Sequence, residues 1–404
     1  KVFWTGDPSR PWLPLCIGIL GAAVGWIGSM ALTRHPLAEQ MISVLQMWRF
    51  AAQAHTQENS ASGHANAMVK VIAYRSGMLG AYHRFRNRGQ LTVAMFHRIL
   101  PVDDLRYLGA DPEWTMTPNS FARCLQFFRS HYNVVSPEQV FAALRGEGHL
   151  PRRSLLVTFD DGWGDTAEYA QPILDAYSIP SLVFVVGSAI DRSTPFWEEA
   201  IYALLSTHAE GYAQLRQALK PFGVILPEVP PTQMNEKSIR AIISRLSESD
   251  RLTLESVTGS LGAAYGNNAA MLDCEQLVKL DASIHTIGGH GMSHQPLTSV
   301  MDIQNEMISA QASISAYLNK PKIESMSFPH GAYSDSVIAH CRSVGYKYLF
   351  SSDAHLNTLD DKTGTYSPVG RIHISERWIT NKEGEFQPAL LATWLFLRPT
   401  VNLH

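Results

Sequence analysis

Apolar residues change their spacing along this chain, and each change marks a part of it. From Pro11 to Leu32 no residue is charged, and a helix of that length spans a bilayer's hydrocarbon core. Gly18, Gly21, Gly25 and Gly28 would line one face of that helix with small residues suited to close packing. Arg10 precedes the run and Arg34 and His35 follow it, so the flanking charges hardly set an orientation. Residues 1–35 therefore read as a transmembrane anchor, with a buried apolar helix as the alternative. The run is too long, and its start too weakly basic, for a clean signal peptide. Leu37 to Gln57 has helical spacing, with Met41, Leu45, Trp48 and Ala52 on one face. Glu58 to Asn66 is small and polar, a loop or linker. Met68 to Arg86 returns to helical spacing and runs into Arg84, Arg86 and Arg88, a solvated basic face or a contact for lipid headgroups. Residues 36–89 thus form a helical region and linker.

From Gln90 the texture becomes strand, helix, strand. Leu91 to Phe96 is a strand running into His97-Arg98. Thr117-Pro118 and Ser136-Pro137 each open a helix, as Ser/Thr-Pro pairs do. Leu155 to Phe159 is an apolar strand ending on Asp160-Asp161-Gly162, followed by a helix from Asp165 or Thr166 to Tyr177 and a strand over Ser181 to Val186. After an interruption, Asp273 caps a helix through Leu280, and Ile284 to Ile287 is a strand leading into Gly288-Gly289-His290. Ser299 to Leu318 is a long helix, Met326 to Phe328 a strand, Ser334 to Val344 a helix, and Tyr348 to Ser351 and Val369 to Ile374 the last strands. This alternation predicts a parallel sheet with helical crossovers over residues 90–380. In a closed barrel of that kind functional groups gather at the carboxyl ends of strands. Residues 192–270 break the rhythm with helical stretches over Trp197 to Leu205 and Glu236 to Leu246. They read as a helical insertion, either a lid over the site or packing against the barrel wall. Gln387 to Leu397 reads as a tail helix within residues 381–404.

Charge and cysteine content narrow the function classes. The chain has 404 residues, with 33 Lys and Arg against 36 Asp and Glu. So even a balance argues against nucleic acid as the main partner. Cys16, Cys124, Cys274 and Cys341 have no short spacing, so they form neither a zinc-type pair nor a dense disulfide framework. Buried free thiols are the expectation.

The chemistry-bearing residues sit at strand ends. Adjacent carboxylates such as Asp160 and Asp161 raise each other's pKa and rarely serve stability. They suit a metal hydrolase, with one carboxylate on the ion and the other accepting a proton. His290 and His294 are four apart, a spacing that puts two histidines on one face of a helical turn and lets them share one ion. Trp163, beside the aspartates, offers a sugar-stacking face or packs under the insertion. His97 lines the cleft or caps its strand.

These motifs make the chain similar to the polysaccharide deacetylases, the NodB-homology family (carbohydrate esterase family 4). Thr158-Phe159-Asp160-Asp161-Gly162 matches the family's first motif in full. His290 and His294 resemble its second, with Gly291 in place of the usual Ser or Thr. Phe328-Pro329-His330-Gly331 looks like its third, with His330 where an aromatic is common. Phe96-His97-Arg98 is similar to the strand that opens many members. The resemblance spans roughly Leu91 to Thr380. It implies a distorted (β/α)7-type barrel and metal-assisted removal of N-acetyl groups from an amino-sugar polysaccharide. Asp161, His290 and His294 would bind one divalent ion, zinc first, with cobalt, nickel or iron also suited. Asp160 would be the general base. His373 is the candidate general acid or a structural residue. Arg371 is the candidate to orient the base, since the third motif lacks the usual arginine. Pro329, His330, Gly331 and Tyr333, with His97 and Trp163, are candidate substrate contacts, and a backbone N–H of that turn would hold the oxyanion. The alternatives are an O-acetyl esterase and a catalytically silent carbohydrate-binding subunit. The expected partners are a polysaccharide and, through the N-terminal segment, a membrane. The expected location is a bacterial cell envelope, with the cytoplasm as the alternative.

Overall fold

The strand that ends on the double aspartate, Ser154–Phe159, is buried at every residue, as a parallel strand covered on both faces must be. In the computed structural model, which describes residues 68–228, 234–247, 249–265, 271–359 and 367–403, this strand is central. Gln90–Phe96 lies parallel on one side and Ser181–Val185 on the other. Thr286–Gly289, Ser325–Ser327 and Tyr348–Phe350 continue the sheet in parallel. Val369 then bridges to Phe350, and Ile372–His373 pairs with Ala94 and Met95. The parallel sheet expected from the alternation therefore curls round until its last segment meets its first strand, a mixed α/β barrel as the resemblance implies. The fold occupies Ala73–His404, one of two compact units of the chain.

Helix starts follow their caps. Thr117, Ser136, Asp273 and Ser334 each accept a hydrogen bond from the backbone N–H three residues on. Ser136 and Asp273 complete capping boxes with Gln139 and Gln276. The helix expected from Ser299 begins instead at Ile303, because the Asp302 side chain accepts from Asn305 N–H and fixes the start there.

The tail helix expected over Gln387 to Leu397 is present and packs on the barrel. The helix Pro388–Phe396 buries Leu391, Leu395 and Phe396 in the main core. Leu356–Leu359 runs antiparallel beside Gln90 and Leu91, and Thr400–Leu403 pairs with it. Neither strand was anticipated, because each is four residues long and is stabilised by distant partners. The buried Asn357 amide donates to the carbonyls of Leu91 and Gly370 and accepts from Gly370 N–H.

The helix Met78–Arg86 packs its His83 ring flat on Phe396, with centroids 3.9 Å apart. Burial pushes this histidine down to about 3. The unfolded ring, near 6.5, binds a proton that the folded one refuses, so stability falls as pH drops from about 6.5 toward 3. Each unit in that window costs up to roughly 1.4 kcal/mol. Urea midpoints measured between pH 7 and 4 are expected to decline, and His83→Phe is expected to flatten the decline.

Between the strands at 181–185 and 286–289 stands the helical insertion: Trp197–Thr207, Gly211–Leu219, Glu236–Leu246 and Arg251–Tyr265. It has its own core, including Ile201, Leu215, Leu246 and Leu254. Ion pairs tie it to the barrel: Glu199 to Arg98 at 2.7 Å, Arg240 to Asp111 at 2.5 Å, and Glu236 to Arg377 at 2.6 Å.

The apolar segment 11–32, the helix expected over 37–57 and the linker 58–66 lie outside the described residues. Among the described residues no helix is long and apolar enough to cross a membrane. Cys124 and Cys341 are buried free thiols, whereas Cys274 is only half-buried.

Candidate active site

A cleft of about 850 Å³ opens at the carboxyl ends of the strands. Asp160, Asp161, His290 and His294 lie in it, and residues 196–199 and 202 with Arg240, Ile243, Ser244 and Ser247 of the insertion contribute one wall. The insertion thus both packs on the barrel and borders the site.

Asp160 is held by the far end of the chain. Arg371 donates from Nη1 to Oδ1 at 2.6 Å and from Nη2 to Oδ2 at 2.7 Å. The guanidinium is fully buried, 0% exposed. Its Nε donates to the Ser351 carbonyl at 3.0 Å, and it lies over the Phe184 ring. Burial pushes the Asp160 carboxyl up, but the Arg371 charge and then His290 outweigh it and hold the group below the usual carboxylate range. Asp160 is thus clamped by an arginine that stands just before the strand Ile372–His373.

Asp161 turns the other way. Its backbone is left-handed, φ 76°, a conformation uncommon outside glycine and tolerated best by Asp and Asn. Gly162 follows at φ 80°, where a Cβ would stand 2.8 Å from Val185 Cγ1. Oδ1 of Asp161 lies 3.4 Å from His290 Nε2 and 3.2 Å from His294 Nε2. These three ligand atoms lie within 4.8 Å of one another.

The histidines do not lie on a helical turn as their spacing suggested. Gly291 and His294 both have positive φ, so the segment after Thr286–Gly289 is a loop. At Gly291 a Cβ would meet Pro329 Cγ at 3.2 Å, so the second motif's usual Ser or Thr would be crowded here. Glu306 fixes the loop by accepting from Met292 N–H, Ser293 N–H and Ser293 Oγ.

Whether these residues suit a metal is decided by one proton. His290 Nδ1 faces the Ser327 carbonyl at 3.0 Å and the Ser327 hydroxyl oxygen at 2.5 Å. Nδ1 therefore carries a hydrogen, and in the neutral ring Nε2 then turns a lone pair toward the Asp161 carboxylate. Two lone pairs facing each other leave a position for a cation. One carboxylate oxygen and two imidazole nitrogens suit a divalent ion of borderline softness.

Trp163 is placed otherwise than a sugar platform requires. It is buried, 3% exposed, with Arg98 4.1 Å above its ring and Phe196 edge-on against it. Its Nε1–H donates to Asp161 Oδ2 at 3.0 Å. The indole orients Asp161 by using the oxygen that the histidines do not face. Groups that orient a ligand in this way govern metal affinity. Trp163→Phe is expected to weaken divalent-ion binding about 10- to 100-fold, read by competition with a chromogenic chelator.

The remaining candidates divide. His97, His330, Gly331 and His373 line the cleft. Pro329 and Tyr333 do not line it: Pro329 is buried, and Tyr333 stacks on Phe328 and donates its hydroxyl to Asp353 at 2.6 Å. His330 Nε2 donates to the His294 carbonyl at 3.0 Å. His373 donates from Nε2 to the Glu113 carbonyl at 3.0 Å, and its Nδ1, like that of His97, is buried with no partner among the described residues. Burial, with His97 adding, pushes His373 down to about 3, so the free ring is neutral.

Sequence reasoning gave no part to Ser327, Arg98 or Glu198. Ser327 bridges the two halves of the site, donating to Asp160 Oδ1 at 3.3 Å while its oxygens receive His290 Nδ1–H. Arg98 pairs with the buried Asp165 at 2.9 Å and roofs Trp163. Glu198 enters from the insertion, grouped with His294 and His330, and burial pushes its carboxyl up. Arg98 stands in the motif Phe96-His97-Arg98, Ser327 in the strand expected over Met326 to Phe328 and Glu198 in the helical stretch over Trp197 to Leu205, but nothing local marks their contacts.

The family model described as "Polysaccharide deacetylase" matches residues 147–220 and 257–349. The "Putative polysaccharide deacetylase YxkH" of Bacillus subtilis (strain 168) is 22% identical over 120 residues, covering 30% of this chain and 40% of that protein. The chain thus spans under half of that relative's length. Among solved structures, the Streptococcus pyogenes deacetylase PplD in complex with acetate is similar with a TM-score of 0.48 at 16% identity, covering 76% of this chain and 99% of that one. IcaB from Ammonifex degensii is similar with a TM-score of 0.47 at 17% identity, covering 76% and 97%. With its strand-end motifs in the family's order and the family model matched over residues 147–220 and 257–349, this chain is similar to the polysaccharide deacetylases.

Proposed function

We propose that this chain is a metal-dependent hydrolase that removes N-acetyl groups from an amino-sugar polysaccharide. The observation that carries the reading is the split of the double aspartate. Asp160 is clamped by Arg371, while Asp161 faces two imidazole nitrogens. Asp161, His290 and His294 would hold one divalent ion, zinc first, with cobalt, nickel or iron also suited. When bound, such an ion supplies Lewis acidity toward an acetyl carbonyl and toward water.

Asp160 is the proposed base, taking a proton from the attacking water. Arg371 keeps it ionised and fixes the plane of its carboxylate. Ser327 holds Asp160 and His290 in register. The backbone turn at 329–331 is the proposed oxyanion contact. Protonation of the departing amine is assigned to His373, which lines the cleft. The free ring is neutral, so its proton must arrive during turnover, and the proton taken up by Asp160 is the available source. A cleft of about 850 Å³ at the strand ends, walled by the insertion, suits a carbohydrate chain. An envelope location and a membrane contact are proposed from the apolar segment 11–32.

The test is acetate release from a panel of N-acetylated oligosaccharides and acetylated xylan, with metal content measured on the same sample. Release from the N-acetylated members supports the proposal. Release from xylan alone makes the chain an O-acetyl esterase. Glycan binding by metal-loaded protein without any release makes it a binding subunit.

A further inference from the structure

On the side of His373 away from the barrel core, two tryptophans spend surface that a folded chain normally covers. Trp114 is 41% exposed and Trp378 is 36% exposed, and both line the cleft. Each also packs on the His373 ring, with centroids 4.5 Å and 5.3 Å away. Trp114 further leans on His97 at 4.5 Å, and Trp378 on Trp394 at 4.7 Å. One part of each indole is therefore anchored and another is left open toward the cleft.

Their positions are fixed by charge. Trp114 follows Asp111 and Glu113, which Arg240 of the insertion contacts at 2.5 Å and 3.5 Å. Trp378 follows Arg377, which pairs with Glu236 of the same insertion helix at 2.6 Å and with Glu113 at 3.7 Å. The Trp394 Nε1–H donates to the His373 carbonyl at 2.9 Å, steadying the histidine between the two rings. Large rigid indoles, open to solvent and held at the rim of a cleft, are what an aromatic anchor site requires.

We infer that Trp114 and Trp378 form a sugar-stacking subsite, which takes a pyranose ring of the polysaccharide beside the unit being deacetylated. The apolar C–H face of the ring would lie against the open indole surface, leaving its hydroxyls to water and to the rim carboxylates. This inference rests on the proposed glycan hydrolysis for its substrate class. It transfers to Trp114 and Trp378 the role expected of Trp163, whose ring is closed off by Arg98 and Phe196.

The test uses N-acetylated amino-sugar tetrasaccharides, with Trp114→Ala, Trp378→Ala and the conservative Trp→Phe at each site. Folding of each variant is checked by its thermal transition. Each alanine variant is expected to raise KM about tenfold while changing kcat less, and each phenylalanine variant to recover part of the loss. In parallel, tetrasaccharide binding to the Asp160→Asn protein is followed by tryptophan fluorescence and calorimetry, with and without the alanine substitutions. Weaker binding in the alanine variants supports the subsite even if the parent chain releases no acetate, an outcome that would overturn only the proposed activity. Unchanged KM and unchanged binding in both alanine variants, or no binding to the parent chain, overturns the subsite.

Discussion

Asp160→Asn is expected to lower turnover of an N-acetylated oligosaccharide by about a hundred- to ten-thousand-fold, the range for losing a general base. The same variant should keep its divalent ion. The amide is close in shape to the carboxylate, and Asp160 does not join the group of ligand atoms formed by Asp161, His290 and His294. His290→Ala should behave in the opposite way, with little metal retained after gel filtration and activity lost along with it. The pair of measurements separates proton transfer from metal holding. Near-normal activity in Asp160→Asn would mean that the base has been assigned to the wrong residue. Full metal content in His290→Ala would remove that histidine from the ligand set.

Arg371→Met is expected to destabilise the fold by about 3–5 kcal/mol, the usual result of stripping one partner from a buried ion pair. The loss is large because Asp160 and Arg371 are both buried and make two charge-assisted hydrogen bonds to each other. Without the guanidinium, the Ser327 hydroxyl is the side-chain donor left to the carboxylate. Arg371→Lys tests the activity where Arg371→Met fails to fold. Lysine keeps the charge but cannot make the planar two-point contact. It should preserve most of the stability and still lower kcat, because the Asp160 carboxylate is no longer held in one plane. Denaturant midpoints and steady-state rates on both variants check this. Wild-type kcat in Arg371→Lys would mean that the arginine is needed for folding alone.

The Asp160–Arg371 pair also shows where sequence reading reached and where it stopped. Arg371 stood out because the third motif had no arginine, but its pairing crosses 211 positions. Only closure of the curled sheet, with Ile372–His373 laid beside Ala94 and Met95, brings the two together. The histidine spacing was read as a helical turn because nothing local announced that Glu306 would hold the segment as a loop. Trp163 was legible as an aromatic beside the aspartates, but not as a donor to Asp161. The direction of its indole depends on Arg98 and Phe196, which come from other parts of the chain. The short strands Leu356–Leu359 and Thr400–Leu403 carry too few residues for a period to be read, and are fixed by their partners.

The sequence by itself determined the order of strand-end motifs, the residue types at the site and the helix starts. Those follow from short-range rules: apolar runs of strand length, the caps at Thr117, Ser136, Asp273 and Ser334, and the conformational freedom of Gly162. Tertiary structure decided which carboxylate faces the histidines and which faces the arginine. It decided that Trp163 is closed and Trp114 and Trp378 are open, and that the last helix and strand belong to the barrel. Each of these is a contact between segments far apart in the chain, and only the assembled barrel fixes such contacts.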